Sequence, residues 1–293
     1  MRIFDTYHPI VLFVFFVAAI GMTMFFMHPI YLICTLVASV CVNVSLRKGH
    51  FWKDLKFYVP MFFVMAIVNP FISHNGKLVL FYMNGNAVTV EAIAYGIAMA
   101  VMIVSVMLWF SSYNEVMTSD KFLYLFGKLS PALALTLSIT MRLVPRFTHQ
   151  LKQIAKAQKT IGMDYSTGSI IHRIRCIARI FSILITWGLD NAIDTADSMK
   201  ARGYGIKKRS TFSIFMFERR DTVLLLTILG LFAVNMSALL KGATVFYFYP
   251  TFSVMELNFI SIIFYSSYII LLMIPVILEV LEVLKWHKYK SKI

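Results

Sequence analysis

An all-α polytopic membrane protein, with about six transmembrane helices and amphipathic cytoplasmic helices, is the fold class this sequence predicts. Three observations carry it. Of the 293 residues, 59% are hydrophobic and 14% are charged, against roughly 25% charged in soluble domains. The mean hydropathy is +0.75, and several apolar runs approach the ~20 residues that cross a bilayer as a helix. Those runs do not alternate apolar with polar, as the roughly ten-residue strands of a membrane barrel would.

The first two runs cover Pro9–Met27 and Pro29–Leu46. His28–Pro29 favours a break between them, although one long bent helix fits the same residues. Arg47, Lys48, Lys53 and Lys56, against Asp54 alone, place the next loop in the cytoplasm. A third run, Phe57–Ile72, leads to a loop, Ser73–Ala87, with the turn pairs Asn75–Gly76 and Asn84–Gly85 and a single lysine. That loop reads as external. The fourth run, Val88–Phe110, returns the chain to the inside before Lys121 and Lys128. The last two runs are Thr222–Leu240 and Phe259–Leu284. Lys241 and Glu256 lie between them, and Lys285, Lys288, Lys290 and Lys292 follow. Six spans with both termini in the cytoplasm satisfy every charged loop. The N-terminus is too sparse in basic residues, and too soon followed by further spans, to read as a cleaved signal peptide.

The chain therefore divides into N-terminal membrane helices (1–118), a cytoplasmic or interfacial region (119–220), and a C-terminal membrane hairpin with a basic tail (221–293). In the middle region Pro131–Val144 is apolar but brief, and reads as dipping into the interface. Beyond it Leu143, Phe147, Leu151, Ile154 and Ile161 share one helical face, with Arg146, Lys152, Lys156 and Lys159 away from it. Gly162 and Gly168 interrupt the pattern. A second stretch then groups Ile170, Ile174, Ile177, Phe181 and Ile185, with Arg175 and Arg179 off that stripe. Such helices lie on the membrane surface or pack across one another beneath it.

The formal net charge is +14. Between Arg142 and Arg220 fifteen Lys/Arg face five Asp/Glu. Placed beside membrane spans, this charge points to cytoplasmic orientation and anionic headgroups, then to an acidic partner, and away from nucleic acid. Cys34, Cys41 and Cys176 lack metal-ligand spacing and read as small packing residues.

Few residues carry chemistry. Arg202 stands between Ala201, which permits close approach, and Gly203, which ends a helix; Tyr204–Gly205 continues the turn. An arginine there either makes a bidentate contact with a carboxylate on another protein or snorkels to lipid phosphates. Pro145, between Arg142 and Arg146, kinks or restarts a helix. Gln158 lies near an apolar face, where it either hydrogen-bonds across a helix crossing or is merely structural. His149 and His172 read as structural. Asp190, Asp194 and Asp197 recur at helical spacing, the pattern by which a membrane prenyl-transfer enzyme holds Mg²⁺ and a diphosphate. That chemistry needs a second acidic cluster across a cavity, and the sequence has none, so ion pairing with the nearby basic helices or hydration of the cytoplasmic surface is the stronger reading. There is no Walker A loop, HExxH or GxSxG.

His8–Pro9, Asn84–Gly85, Thr89, Met141–Arg142–Leu143–Val144–Pro145, Ala157–Gln158 and Met199–Lys200–Ala201–Arg202–Gly203–Tyr204–Gly205 occur in an order that spans almost the whole chain. In that order the chain resembles the transmembrane T component of energy-coupling factor transporters, the family that includes cobalt and nickel permeases. The resemblance implies the energy-coupling subunit of an ATP-driven importer of a micronutrient, a vitamin or a metal ion, in the cell membrane. Its implied partners are two cytosolic ABC-type ATPases, which carry the ATP and Mg²⁺, a small membrane substrate-binding subunit, and membrane lipids. It implies no catalytic, cofactor or metal residues in the chain itself. In the family two Ala-Arg-Gly motifs end the coupling helices and dock into the ATPases. Here Ala201–Arg202–Gly203 is the second motif. The first falls on Thr160–Ile161–Gly162, with Ile161 in the usual arginine position and Gln158 and Lys159 just before it. Lys159 one position earlier, or an asymmetric ATPase pair with one apolar docking surface, would accommodate the departure. Arg142, Pro145, Arg146, Leu151 and Ile154 would support the coupling helices. A Mg²⁺-dependent prenyl-transfer enzyme using the Asp cluster, and a membrane scaffold without transport, are the alternatives.

Overall fold

In a computed structural model, which describes residues 3–47, 51–73, 76–83, 86–127, 131–205, 215–253 and 258–290, the first two apolar runs are separate helices. These are α1 (Pro9–Phe25) and α2 (Pro29–Arg47). Each starts at a His-Pro pair. The proline occupies a first-turn position that has no amide bond to lose, and the preceding imidazole accepts the next free amide. His8 Nδ1 accepts from Ile10 N–H, and His28 Nδ1 from Ile30 N–H, both at 3.3 Å. The break at residues 26–28 is thus built by local capping.

The third helix, α3 (Phe51–Ile72), begins inside the segment read from sequence as a loop. Arg47 ties its first turn inward, pairing with Asp54 and, at 3.6 Å, with Glu115 of α4 (Val90–Val116). The segment before α4, read as an irregular external loop, contains an antiparallel hairpin of β1 (Val79–Met83) and β2 (Asn86–Thr89). Val79–Leu80–Phe81–Tyr82–Met83 is β-prone and too short to span, and only a partner strand satisfies its backbone. Glu91 fixes the base of the hairpin by accepting from Lys77 and Leu78 N–H, each at 3.2 Å. Gly76, at φ +137°, leaves no room for a Cβ, which would stand 2.7 Å from Glu91 Oε2. Asn75, the Asn84–Gly85 turn, Lys48, Lys128, Glu256 and Lys292 lie outside the described residues.

The chain forms two units, Met1–Phe122 with Phe215–Ile293, and Leu123–Ile214. The first boundary falls within a short helix, α5 (Ser119–Gly127). Two long helices, α6 (Pro131–Thr160) and α7 (Ile170–Ala201), make up most of the second unit. The chain then returns through α8 (Arg219–Leu240) and α9 (Phe259–Lys290). In the first unit α4 packs on α1, α2 and α3, α2 also meets α9, and α8 joins α9 to α1. Trp109 is fully buried and meets Phe15 and Phe16 edge-on.

Lipid tails are as apolar as these side chains, so burial alone does not select the packing; polar ties across helices do, at about 0.6 kcal/mol each on average. Trp109 Nε1–H donates to Thr35 Oγ1 at 3.1 Å, and Thr35 meets Thr23 Oγ1 at 2.8 Å, joining α4, α2 and α1. Asn43 donates to Leu108 O and Ser112 Oγ, and Asn235 of α8 to Ser267 Oγ of α9. The N-terminal turn is fastened too. Lys121 Nζ donates to Asp5 O at 2.8 Å and Val116 O at 3.0 Å, and burial pulls its pKa below the usual lysine value. Asp221 accepts from His8 N–H and Glu218 N–H, each at 2.9 Å.

Among the described residues six helices are long and apolar enough to cross a membrane: α2, α3 from Asp54 onward, α4, α7, α8 and α9. The set differs from the sequence expectation in one member. At 17 residues α1 is shorter, and α7 joins because an apolar stretch lies between its arginines and its aspartates.

Candidate coupling site

Pro131–Val144 forms the first half of α6, whose 30 residues run on through Pro145. The face that packs on α7 centres on Ile154, with Phe147, Leu151 and Ala155 beside it. These meet Ile180, Leu184 and Trp187 of α7. Phe147 stands edge-on to Trp187 at 5.4 Å between centroids. Gly188 makes room for the Phe147 ring, since a Cβ there would lie 2.8 Å from Phe147 Cζ. The glycine is a bare seat inside a helix, legible only once its partner is known.

The stripe of Ile170, Ile174, Ile177, Phe181 and Ile185 is one continuous face of α7 and is exposed, whereas Cys176, Ile180 and Leu184 are buried. Apolar side chains cover two neighbouring faces of α7, so periodicity finds both and cannot choose between them. Ile161, assigned to the packed face of α6, is 66% exposed. It lies one residue past the last helical turn, where helical spacing no longer applies.

The ends of the two helices share one construction. At the end of α6, Met163 N–H reaches Gln158 O at 3.0 Å and Gly162 N–H reaches Lys159 O at 3.1 Å. At the end of α7, Tyr204 N–H reaches Met199 O and Gly203 N–H reaches Lys200 O, both at 2.9 Å. These paired bonds are the Schellman closure, which needs a left-handed residue just past the cap. Gly162 has φ +82° and Gly203 φ +81°. Ile161 and Arg202 are therefore equivalent, each the last residue before the turn and each exposed. The 32 residues of α7 extend about 48 Å. The loop 161–169 joins the first cap to the start of α7, so the second cap lies a helix length away.

The surroundings of the caps differ. The Arg202 guanidinium has no hydrogen bond or ion pair among the described residues. Lys159, in contrast, pairs with Asp164 at 3.0 Å. Asp164 also accepts from Ser166 N–H at 2.9 Å and Ser166 Oγ–H at 2.7 Å. Those Ser166 bonds first, and Lys159 after them, pull its carboxyl down to about 2. Arg173 Nε–H donates to Tyr165 O at 2.9 Å, and Cys176 Sγ reaches Met163 Sδ at 3.9 Å. The first cap is thus braced against α7, by residues that carried no motif in the sequence.

Of the remaining candidates, Leu151 and Ile154 lie in the helix crossing, whereas Arg142, Pro145 and Arg146 are exposed on α6. The Gln158 side-chain oxygen is buried without a hydrogen-bond partner among the described residues. His149 bonds Gln153 at 3.0 Å along its own helix. Asp190, Asp194 and Asp197 are exposed, and Asp197 pairs with Lys200 at 3.6 Å. Among the described residues no group of three or more His, Cys, Asp or Glu is placed to hold a metal ion.

Comparison with known proteins bears on the same region. The sequence profile of the cobalt transport protein family, CbiQ, matches residues 6–213, which include both caps. Several relatives are named energy-coupling factor transporter transmembrane protein EcfT. The one from Leuconostoc gelidum is 33% identical over 33% of this chain and 37% of its own length. The one from Exiguobacterium sibiricum is 38% identical over 35% of this chain and 40% of its own. The chain thus aligns with well under half of each of these two. The relative from Staphylococcus aureus is 24% identical over 70% of this chain and 81% of its own. With helices long and apolar enough to cross a membrane and a family match across most of its length, the chain belongs to the cobalt transport protein family, CbiQ.

Proposed function

We propose that this chain is the non-catalytic, force-transmitting subunit of an ATP-driven importer of a micronutrient, a vitamin or a metal ion. Two cytosolic ATPases, holding ATP and Mg²⁺, dock at the ends of α6 and α7. Their closing movement displaces the two helix ends. The α6–α7 pair passes that displacement to a separate small membrane protein that carries the substrate. Both termini face the cytoplasm, as the basic loops favour.

One observation carries the reading. The α6–α7 pair presents two helix ends of the same construction, separated by the loop 161–169 and the roughly 48 Å length of α7, and the Arg202 guanidinium at one of them has no hydrogen bond or ion pair among the described residues. Two equivalent tips suit two related ATPases. Arg202 suits a carboxylate on one of them, and the apolar Ile161 suits a drier contact on the other.

The test is purification of the tagged chain from its native cell in mild detergent, with mass-spectrometric identification of what accompanies it. Recovery of one or two Walker-motif ATPases and a small hydrophobic protein is the expected outcome, and the small protein identifies the substrate. Reproducible recovery of the chain alone, under conditions that preserve a known transporter complex, overturns the assignment.

A further inference from the structure

Between α6 and α7, beside the loop 161–169, runs an open groove of about 480 Å³. Its floor is apolar and includes Leu151, Ala155, Ile177 and Phe181. Along one wall α6 sets Lys152, Lys156 and Lys159. Asp164 engages Lys159, whereas Lys152 and Lys156 form no ion pair among the described residues. Those two are four residues apart, so they stand on one face of α6 about 6 Å from each other along the helix.

We propose that this groove binds one anionic phospholipid, its phosphate between Lys152 and Lys156 and an acyl chain over Ile177 and Phe181. Two lysines on successive turns bracket a single phosphate, and their methylene stems lie along the apolar floor while the ammonium groups stay at its edge. The apolar surface does not stop at the groove. Ile177 and Phe181 belong to the exposed face of α7 that continues through Ile170, Ile174 and Ile185. A chain of variable length can follow such a surface, whereas a folded partner ends where its own contour ends. This face belongs to a helix apolar enough to cross a membrane, yet only 17% of its most apolar window is buried within the chain. The fifteen-to-five excess of basic residues between Arg142 and Arg220 repels a cationic occupant and draws an anionic lipid to the site. The proposal rests on the chain being a membrane protein and does not depend on the docking of ATPases.

Native mass spectrometry of the purified full-length chain in neutral detergent tests it. Phosphatidylglycerol and phosphatidylcholine with the same acyl chains are titrated separately. One phosphatidylglycerol adduct is expected at a concentration at least about tenfold below that needed for phosphatidylcholine, the difference of about 1.4 kcal/mol that tenfold represents. The double substitution K152Q/K156Q is expected to abolish this preference. Phe181→Ala is expected to weaken both lipids alike. Equal retention of the two lipids by the unsubstituted chain overturns the proposal, whatever the variants do. Loss of a co-purifying protein from K152Q/K156Q, with the lipid preference intact, also overturns it and assigns the groove to an acidic protein partner.

Discussion

At residues 158–163 and at residues 199–204 the backbone performs the same manoeuvre. Two hydrogen bonds close each helix, a glycine near φ +80° reverses the chain, and the residue before that glycine projects outward. The end of α8 repeats it, with Ala243 N–H to Ala238 O, Gly242 N–H to Leu239 O and Lys241 before the glycine. The closure is therefore a general way to end a helix and is not itself a docking signal. What separates the two ends of the α6–α7 pair is the projecting side chain and its bracing. Ile161 sits on a tip held by Asp164, Arg173 and Cys176, with the neighbouring lysine already paired. The Arg202 guanidinium has no such partner among the described residues. Under the proposed function, a rigid apolar tip and a charged one would transmit the same push through different contacts.

Exchanging the two side chains gives the largest expected effect. Arg202→Ala is expected to remove the proposed charge-assisted contact, about 1.5–3 kcal/mol where the partner surface is desolvated, or roughly 10–150-fold in ATPase affinity. Ile161→Ala removes only part of an apolar contact and is expected to cost less than about tenfold. In Ile161→Arg/Arg202→Ile the stronger site should move from one ATPase to the other if the tips are interchangeable, and neither site should recover if each ATPase is shaped for its own tip. Pull-down titrations of the two ATPases with each variant measure this. Equal losses for Arg202→Ala and Ile161→Ala would remove the asymmetry on which the comparison stands.

The sequence shows such caps more readily than it shows packing. A glycine just past an amphipathic run announces its closure wherever it falls, and Gly162 and Gly203 were legible for that reason. The packed face of α6 was legible also, because Phe147, Leu151 and Ile154 stand against lysines and leave one answer. On α7 the same rule does not say which face packs. Isoleucines cover neighbouring faces, and which one packs depends on Gly188 admitting Phe147, a relation between residues 41 positions apart. The hairpin before α4 was missed because strand pairing is a contact and not a local pattern. The bracing of the first cap was missed likewise, since Asp164, Tyr165 and Cys176 gain meaning only when the loop folds back.

Backbone strain gives a smaller and more even effect. Gly162→Ala and Gly203→Ala each force a side chain into the left-handed region, at about 1–2 kcal/mol. Nothing lies within 4 Å of a Cβ at Gly162, so the cost there is conformational and not steric. Asparagine, which tolerates that region, should recover much of the loss at Gly162. Thermal midpoints of the detergent-purified variants read the cost, and ATPase pull-downs show whether a frayed tip still docks. A Gly162→Ala protein as stable as its parent would mean that the loop holds the cap without the glycine.

The smallest expected effect is confined to one tip and depends on pH. Bonds from Ser166, and then from Lys159, lower the Asp164 pKa from its ordinary value of 3.8 to about 2. A carboxylate whose pKa is depressed on folding stabilises the fold fully above its unfolded value, and that contribution disappears as pH falls through the folded value. Amide exchange across residues 161–169, corrected for intrinsic rates, should therefore be unchanged from neutral pH down to about 4. Protection should then weaken as pH falls toward about 2. Asp164→Asn should lower protection at neutral pH and remove the acid step. Among the described residues no equivalent carboxylate is bonded across the turn at 199–204, so that tip should show no step in that window. A parallel step at both tips would locate the acid response outside the Asp164 loop, in the shared α6–α7 packing.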